Sequence, residues 1–559
     1  MTADARVLTR PGPWSRVVGL GTIYGKTLRE SLRAALVVGG IASLFMIGTG
    51  VPYGVSPEFS TIELRRAFIA GLTVLPPALR GLLGEPINLD YMGGFLSWRV
   101  GNFLPVVLGL WPVIALSGTL AGEAAKGSLD LLVSTPQGRR TVALEKLAAH
   151  VTAVILAMLL LAATIWAVGA FAGALHGDEI PASAALGQVT LYGLMMLFVG
   201  GVAFASAPFL GRTRAAALGL LVLFGSYLVE SYASLSDVLD RLSALSFFEW
   251  TAGHRPMAGV ADWTSVGILA VFVVILFAVG TFAFARRDVG AVSNVGWLRL
   301  PTLPVGIRGP FGRQLSDRAS LAIAWGLATG VYAVLVVGSA EAFSKLIDSL
   351  PQIAALLRSV YPELDLHQPS GLLQLTFFSF GSFVLGLAGA SFLAGWASDE
   401  GRRRLEVVLS TPRSRSSWAF LSALGVLAAI ALMSAIVALI TAAAVASQGG
   451  DVWPTVVGIG VLALAVAAFT GVGLAAGGLV RTSLAVGVTG FLVIATMLLD
   501  TLGAALKLPD WVLDLSLYRH LGQPMAGVID PFGIAVATVM VVGGVALCTV
   551  GLRRRDIGR

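Results

Sequence analysis

Cysteine, histidine and charged residues are scarce in this 559-residue chain, and each shortage excludes a class of protein or site. The single cysteine, Cys548, excludes a disulfide within the chain. The five histidines are scattered, with no pair three or four residues apart, so the sequence predicts no metal site. Only 12% of the residues are charged, which is too few for a soluble enzyme or a nucleic-acid-binding protein.

Apolar residues take the place of the missing charges. They make up 56% of the chain, and its mean hydropathy is +0.85. A membrane-spanning helix needs roughly 20 mainly apolar residues. The sequence contains twelve such runs and therefore predicts an all-α polytopic membrane protein. The runs lie at about residues 34–51, 102–120, 147–175, 186–209, 215–233, 263–285, 319–340, 372–396, 418–446, 456–480, 483–502 and 532–552.

Basic residues are distributed unevenly between the loops that join these runs. If both termini are cytoplasmic, 28 of the 38 Lys and Arg residues lie on the cytoplasmic side. Cytoplasmic loops of membrane proteins carry such an excess. We therefore expect a multi-pass protein of the bacterial plasma (inner) membrane, surrounded by lipids, with cytoplasmic N- and C-termini.

A repeat divides the chain into two halves. The stretch 127–136, Gly-Ser-Leu-Asp-Leu-Leu-Val-Ser-Thr-Pro, reappears at 403–412 as Arg-Arg-Leu-Glu-Val-Val-Leu-Ser-Thr-Pro, a spacing of 276. The stretch 256–260, Pro-Met-Ala-Gly-Val, recurs unchanged at 524–528, a spacing of 268. Each repeat holds six runs, an even number, so the sequence predicts two parallel six-helix halves that form a pseudodimer.

The repeat predicts four segments. Residues 1–33 form a cytoplasmic amphipathic segment without the features of a cleavable signal, and residues 34–290 form the first half. Residues 291–318 form a cytoplasmic connection with an amphipathic helix, and residues 319–559 form the second half.

The cytoplasmic loop between the second and third runs is the candidate functional element of each half, at residues 121–146 and 397–417. In the first loop, Leu129, Leu132 and Val133 share one face of a short helix. This helix ends before Pro136, because the residue that precedes a proline disfavours the helical conformation. Such an amphipathic helix either docks in a groove of a soluble partner or rests on lipid headgroups. Its recurrence in both halves favours docking.

At this loop the sequence resembles the permease subunits of ATP-binding-cassette (ABC) exporters with six-helix halves, in particular the fused permeases of actinobacterial antibiotic and multidrug exporters. Those subunits carry an acid, then Gly-Thr/Ser-Leu-Asp/Glu-Leu-Leu, then a proline and an arginine pair. The resemblance implies that the two loops take up the motion of two copies of an ABC ATPase subunit. The implied coupling residues are Glu123, Lys126, Leu129, Asp130, Leu132, Pro136, Arg139 and Arg140 in the first half, and Asp399, Arg402, Leu405, Glu406, Pro412 and Arg415 in the second.

The chain does not carry the sequence of a nucleotide site. A Walker A loop requires G-x-x-x-x-G-K-[ST] after a strand, and the closest stretch, 21–27, has one residue too few and lies in a helical pattern. We therefore expect no cofactor and no enzymatic activity in this chain, with ATP and Mg²⁺ bound by the partner ATPase. The alternatives are a secondary transporter of the major-facilitator type, whose loop motif is missing here, and a membrane-embedded enzyme, which would show clustered acids or histidines.

Few charges lie within the apolar runs, so a transport path would have apolar walls that suit hydrophobic or amphipathic small molecules. With the family resemblance, this favours drugs or antibiotics as cargo, and a cell-envelope lipid or glycolipid is the alternative. The candidate path residues are Met195, Met196, Phe198, Phe378 and Phe380, for which packing between helices is the other interpretation.

Three charged residues lie at the predicted outer ends of the runs: Arg99, Glu230 and Asp500. Charges within a membrane are costly and often functional. Arg99 paired with one of the two acids would form an outer gate, or the acids would form a rim that attracts cations. Alternatively, all three residues lie at the headgroup boundary and are simply solvated.

Overall fold

The computed structural model describes residues 22–73, 86–124, 138–233, 237–286, 309–349, 364–365, 367–401, 404–410, 414–503 and 508–555. These residues divide into two compact units, with the boundary at residue 295. Long helices dominate both units, because a backbone in lipid must satisfy its own hydrogen bonds.

The first unit contains long helices joined by short helices and turns. Two 3₁₀ turns, Pro57–Phe59 and Pro256–Ala258, lie in its loops. Its helices are α1 Ile23–Val55, α2 Ile62–Thr73, α3 Met92–Arg99, α4 Leu104–Thr119, α5 Ala121–Ala124, α6 Arg139–Ala172, α7 Ala182–Leu210, α8 Arg212–Ser231, α9 Asp237–Ser243, α10 Phe247–Trp250 and α11 Trp263–Arg286.

The second unit repeats this order. A π-helical turn, Leu373–Phe378, joins α14 to α15, and two 3₁₀ turns lie at Leu517–His520 and Pro524–Ala526. The antiparallel strands β1 Gly522–Gln523 and β2 Val528–Ile529 form a short hairpin. The helices are α12 Gly309–Gly338, α13 Ala340–Ser349, α14 Pro369–Leu372, α15 Ser379–Gly401, α16 Arg404–Leu409, α17 Arg415–Ser447, α18 Val452–Leu479, α19 Ser483–Leu502, α20 Asp510–Leu513 and α21 Pro531–Arg554.

The helices of membrane-spanning length agree in number with the predicted runs. Within the described residues, eleven helices are long and apolar enough to cross a membrane, and the bent pair α3 and α4 makes a twelfth span. The prediction of an all-α polytopic membrane protein with about twelve spans is therefore confirmed.

Two spans begin earlier than the apolar runs indicate. α1 starts at Ile23, and α12 starts at Gly309, so the described parts of the two predicted amphipathic segments continue directly into spans. The charged residues there do not end the helix where other groups of the protein form hydrogen bonds with them. Arg318, for example, is buried in α12 and donates to the carbonyls of Phe392 and Gln314.

The second span of the first unit is broken rather than continuous. α3 and α4 meet at an angle of 54° across residues 100–103. Pro105 lies in the first turn of α4, where its missing N–H costs no helical hydrogen bond. In the second unit the equivalent region is continuous, but it contains the π-helical turn between α14 and α15.

The repeated Pro-Met-Ala-Gly segments have the same conformation in both units. Each forms a 3₁₀ turn that ends at a glycine in the left-handed region, Gly259 with a φ of 83° and Gly527 with a φ of 84°. Glycine adopts this region without the steric cost of a Cβ atom. The identical motif thus encodes an identical turn.

Glycines allow the first span of each unit to lie close to the third. A Cβ atom on Gly39 of α1 would lie 3.0 Å from the carbonyl oxygen of Ala157 in α6. A Cβ atom on Gly326 of α12 would lie 2.9 Å from the carbonyl oxygen of Met433 in α17. Association of helices in lipid depends on such close van der Waals packing, because lipid tails are as apolar as the side chains.

The helix pair α18 and α21 of the second unit has small residues on both sides. The backbone of Gly544 lies against the backbone of Gly471, and Cys548 lies against Gly478. Cys548 is fully buried. A larger side chain at these positions would separate the two helices.

The substitution Gly544→Val should destabilise the second unit by about 1–3 kcal/mol, because the new Cβ atom would overlap the carbonyl group of Gly471. Gly543→Val is the matched control, since a Cβ atom there meets nothing within 4 Å. Thermal unfolding of the purified chain in detergent measures both effects. Equal unfolding temperatures for the two variants would contradict this packing.

An ion pair between Arg65 and Asp178 holds together the loops at the predicted outer end of the first unit. Its two hydrogen bonds are 2.7 and 2.8 Å long, and both side chains are 0% exposed. Arg65 also donates to the carbonyls of Phe59 and Asp90, and its guanidinium carbon lies 4.4 Å from the ring centre of Tyr53. The pair therefore joins segments that are far apart in the chain.

The Asp178 carboxylate receives backbone donors in addition to Arg65. The N–H groups of Met92, Ala174 and Leu175 donate to it at 3.0 to 3.1 Å. Burial by itself raises the pKa of Asp178, but the hydrogen bonds from Arg65, Leu175 and Met92 outweigh burial and hold that pKa below its usual value. The carboxylate is thus stabilised in its charged form.

The substitution Asp178→Asn should lower the unfolding temperature, because Arg65 then remains buried without a counter-charge, at a cost of about 3–5 kcal/mol. A carboxyl group with a lowered pKa stabilises the fold above its unfolded pKa of about 4, and this stabilisation is lost as the pH falls through the folded-state pKa. The difference between wild type and variant should therefore be larger at pH 7 than at pH 3.

Asp510→Asn is the control for this experiment. Asp510 is exposed, and its carboxylate lies 3.7 Å from Arg519, a geometry of little energetic value. A similar loss of stability in both variants, or a difference that does not shrink in acid, would contradict the role of the buried pair.

Candidate coupling site

Only part of each predicted coupling loop lies within the described residues. Glu123, Arg139 and Arg140 are described in the first loop, and Asp399, Leu405, Glu406, Ser410 and Arg415 in the second. The other predicted coupling residues, which are Lys126, Leu129, Asp130, Leu132, Pro136, Arg402 and Pro412, lie outside the described residues.

The acid of the first loop is bound to a buried lysine. Glu123 in α5 lies 2.7 Å from the Nζ atom of Lys146 in α6. The lysine side chain is 4% exposed and the glutamate side chain 20%. Leu120, Ala143 and Leu147, which lie close to the two residues in the sequence, belong to a buried apolar cluster of the unit. The root of the loop is thereby fixed to the third span.

A second polar contact lies one turn deeper in the same helix bundle. The Nδ1 atom of His150 lies 3.0 Å from Ser31 Oγ in α1, and its Nε2 atom lies 3.0 Å from Thr119 Oγ1 in α4. Tyr24 at the start of α1 donates from its backbone N–H to Glu145. The first three spans therefore share a continuous polar contact at the predicted cytoplasmic end.

The acid of the second loop has different partners. Asp399 in α15 accepts a hydrogen bond of 2.7 Å from Gln314 Nε2 and lies 3.7 Å from the guanidinium of Arg313. Both partners belong to α12, the first span of that unit. Arg318, one turn further along, donates to the carbonyl of Phe392 at 2.8 Å. The acid is therefore fixed to the first span instead of the third.

This difference follows from the residues at equivalent positions. At a spacing of 276, Lys146 is replaced by Ser422, which accepts a hydrogen bond from Trp396 Nε1. Thr119 is replaced by Gly395, where a Cβ atom would lie 3.1 Å from the Arg318 guanidinium. The glycine thus makes room for an arginine that enters from another helix.

A second acid, Glu400, joins three helix ends in the second unit. Arg555 at the end of α21 donates to both of its oxygens at 2.7 and 2.9 Å, and Thr482 Oγ1 donates at 2.6 Å. Arg415 at the start of α17 donates to the backbone carbonyl of Arg555. The position 276 residues earlier is Ala124, so the first unit has no acid there.

The short helix α16 lies within the second predicted coupling loop. It ends at Leu409, just before Ser410-Thr-Pro. Leu405 is buried in the unit, whereas Glu406 on the same helix is exposed. The exposed side of α16 is the surface that a partner would reach.

Comparison with known families supports a transport role. Residues 307–553 match the family described as "Multidrug efflux system permease Rv1217c, C-terminal domain". The match covers most of the second half of the chain, which is therefore similar to this efflux-permease family. The match confirms the resemblance to efflux permeases and, with the candidate spans, a multi-pass membrane permease. No curated protein matches the chain.

The residues proposed for the cargo path lie mainly inside their own units of this permease. Met195, Met196, Phe198 and Phe378 are buried, and Phe380 is partly buried. Their ring contacts lie within the same unit, such as Phe198 with Phe247 and Phe378 with Tyr518. They pack helices in this conformation, and their contact with cargo stays a prediction.

The predicted outer charges do not form a gate within the first unit. Arg99 is exposed at the end of α3, and in this described unit it makes no ion pair with Glu230. Glu230 lies in the last turn of α8, where its Oε2 atom is buried. Asp500 is exposed in the last turn of α19.

Several polar residues of the coupling region were not singled out by sequence reasoning. His150, Gln314, Arg318, Glu400 and Arg555 all make specific contacts at the predicted cytoplasmic ends of spans. The signal in the sequence was their polarity at the edges of apolar runs. Their partners on other helices lie 31 to 155 residues away along the chain, and nothing in one sequence identifies such pairs.

The buried pair Glu123–Lys146 should show a coupling energy on the order of 2 kcal/mol in a double-mutant cycle with Glu123→Gln and Lys146→Met, measured by thermal or chemical unfolding. The matched control is Glu341–Lys345, which has the same 2.7 Å distance but side chains that are 80% and 74% exposed. Solvent screens the exposed pair, so its coupling should be much smaller. Equal coupling in the two cycles would show that burial does not strengthen Glu123–Lys146.

Proposed function

We propose that this permease is the transmembrane subunit of an ATP-driven ABC exporter, powered by two copies of a separate ATPase. The observation that carries the proposal is the attachment of each loop acid to a neighbouring span. Glu123 is fixed to Lys146, and Asp399 to Gln314. Movement of either loop would therefore move a helix with it, which is what transmission from an ATPase requires.

The sequence indicates which subunit binds ATP and which supplies the docking loops. ATP and Mg²⁺ would bind to the ATPase subunits, and the permease would supply loops 121–146 and 397–417 as two docking elements. Both loops lie at the end that the distribution of basic residues predicts to be cytoplasmic. One permease with two ATPase copies is the stoichiometry that two loops suggest.

The proposed cargo is a hydrophobic or amphipathic drug or antibiotic. The long apolar spans favour such molecules, and the matched family is described as a multidrug efflux permease. A cell-envelope lipid or glycolipid would also suit apolar walls, and a drug-sensitivity profile after deletion separates the two. Greater sensitivity to several unrelated apolar drugs supports drug export, whereas loss of an envelope lipid with unchanged drug sensitivity supports lipid export.

The double variant Glu123→Gln with Asp399→Asn should reduce transport about tenfold or more in vesicles that contain permease and ATPase, because both acids lose charge at the loops. Co-purification with the ATPase measures assembly, and cargo-stimulated ATP hydrolysis measures coupling. We expect weaker assembly or coupling with unchanged insertion of the permease.

Glu341→Gln with Lys345→Gln is the control, because this exposed pair lies in α13, at the predicted outer end. Elution of each variant as a single folded species separates coupling from misfolding. Normal transport by the folded Glu123→Gln, Asp399→Asn variant would show that these acids do not couple the loops to the spans. Transport driven by an ion gradient without the ATPase would favour a secondary transporter.

A further inference from the structure

A polar cavity lies in the first unit at the break between α3 and α4. Its volume is about 40 Å³, and its walls come from α3, α4, α7, α8 and the loop before α11. Gly101 and Asn102 of the break form part of the lining. Broken helices within membrane-spanning segments often provide ligand sites, because they bring polar groups into an apolar region.

Three oxygen atoms at this cavity have no hydrogen-bond partner among the described residues: Oε1 of Gln188, the hydroxyl of Tyr192 and Oε2 of Glu230. Gln188 is 3% exposed and Tyr192 is 1% exposed. The two lie four residues apart on α7, on one helix face. Burying such groups without a partner costs about 1–3 kcal/mol each, so the three oxygens together would stabilise a hydrogen-bond donor in the cavity.

Other polar residues of the lining form hydrogen bonds that hold the walls of the cavity in place. Both ring nitrogens of His254 face backbone carbonyls, of Asp262 at 3.0 Å and of Gly187 at 3.3 Å. Arg255 donates from Nε to the carbonyl of Ala252 at 3.1 Å. These contacts hold the loop before α11 against α7, so the cavity is a built feature of the unit.

The chemistry of the three oxygens defines the ligand. Carboxylate and amide oxygens are acceptors, and a phenol oxygen also accepts. An ammonium group offers three N–H donors for the three acceptors, and its positive charge is attracted by the Glu230 carboxylate and opposed by the Arg255 guanidinium, which also lies in the lining. A neutral alcohol offers a single O–H donor and leaves two of the oxygens unsatisfied.

We propose that this cavity binds the ammonium group of a small organic amine. The volume accepts a group of a few heavy atoms, so only the charged end of a larger amphipathic molecule would enter, at the end of the span that is predicted to be outer. The role of this site in cargo binding rests on the proposed export function. Many amphipathic molecules carry a protonated amine as their charged part. Binding itself requires neither ATP nor the ATPase.

The test is a titration of the purified full chain in lipid nanodiscs, without the ATPase, with methylammonium chloride. A ligand that binds the folded state raises the unfolding temperature in a saturable way. We expect this rise with methylammonium and no comparable rise with sodium or potassium chloride at the same ionic strength. Glycerol and methanol serve as neutral controls.

Glu230→Gln should weaken the binding of methylammonium tenfold or more, because among the described residues Glu230 supplies the carboxylate of the lining. Tyr192→Phe keeps the packing, removes one acceptor and should weaken binding severalfold, so it tests the site even if the first variant folds poorly. Asp500→Asn, the acid near the end of α19 in the second unit, is the matched control and should bind like wild type.

Three results would overturn the site: no saturable rise in the wild type, an equal rise with sodium chloride or with a neutral alcohol, or equal weakening in Asp500→Asn. The outcome is independent of the export function. Binding without ATP-driven export would leave the site standing and remove the proposed function. Export without methylammonium binding would do the reverse.

Discussion

A polar group that a span buries is costly unless the protein or a bound ligand supplies a partner, because the core of a bilayer supplies no water to replace that partner. This constraint explains the arrangement of the described units better than hydrophobic packing does. Arg65 and Asp178 at one end, and Glu123 with Lys146 at the other, fix loops that apolar contacts alone would leave free to slide. The long apolar helices supply the length of each unit, and the polar contacts determine where their ends lie.

The spans and the repeated turns were predictable because their signals are local. The run at 483–502 has the same bounds as α19, and Pro-Met-Ala-Gly gives the same turn in both units because only its own backbone is involved. The Arg65–Asp178 pair was not predictable, since 113 residues separate its members. The break at 100–103 also escaped prediction, because a hydropathy pattern records composition and not direction.

In the two units, the acid at the end of the second span is paired with different residues. Each places an acid at the predicted cytoplasmic end of its second span, yet the first uses Lys146 of the third span and the second uses Gln314 of the first span. At the position of Lys146, the second unit has Ser422, which accepts a hydrogen bond from Trp396. Conservation of the acid between the halves, despite exchange of its partner, indicates that the acid is the constrained member.

Within the first unit, α4 connects the two features proposed to act in transport. It begins beside the cavity at 100–103 and ends at Thr119, four residues before Glu123. A rigid helix transmits displacement at one end to the other, but a ligand shifts an equilibrium only if it binds two conformations with different affinity. A broken helix allows two conformations of different ligand affinity more easily than a straight helix does. A change in the 54° angle would both alter the cavity and move Glu123. The polar cavity and the loop acid therefore lie near opposite ends of the same helix, where a change in the angle of the break would affect both.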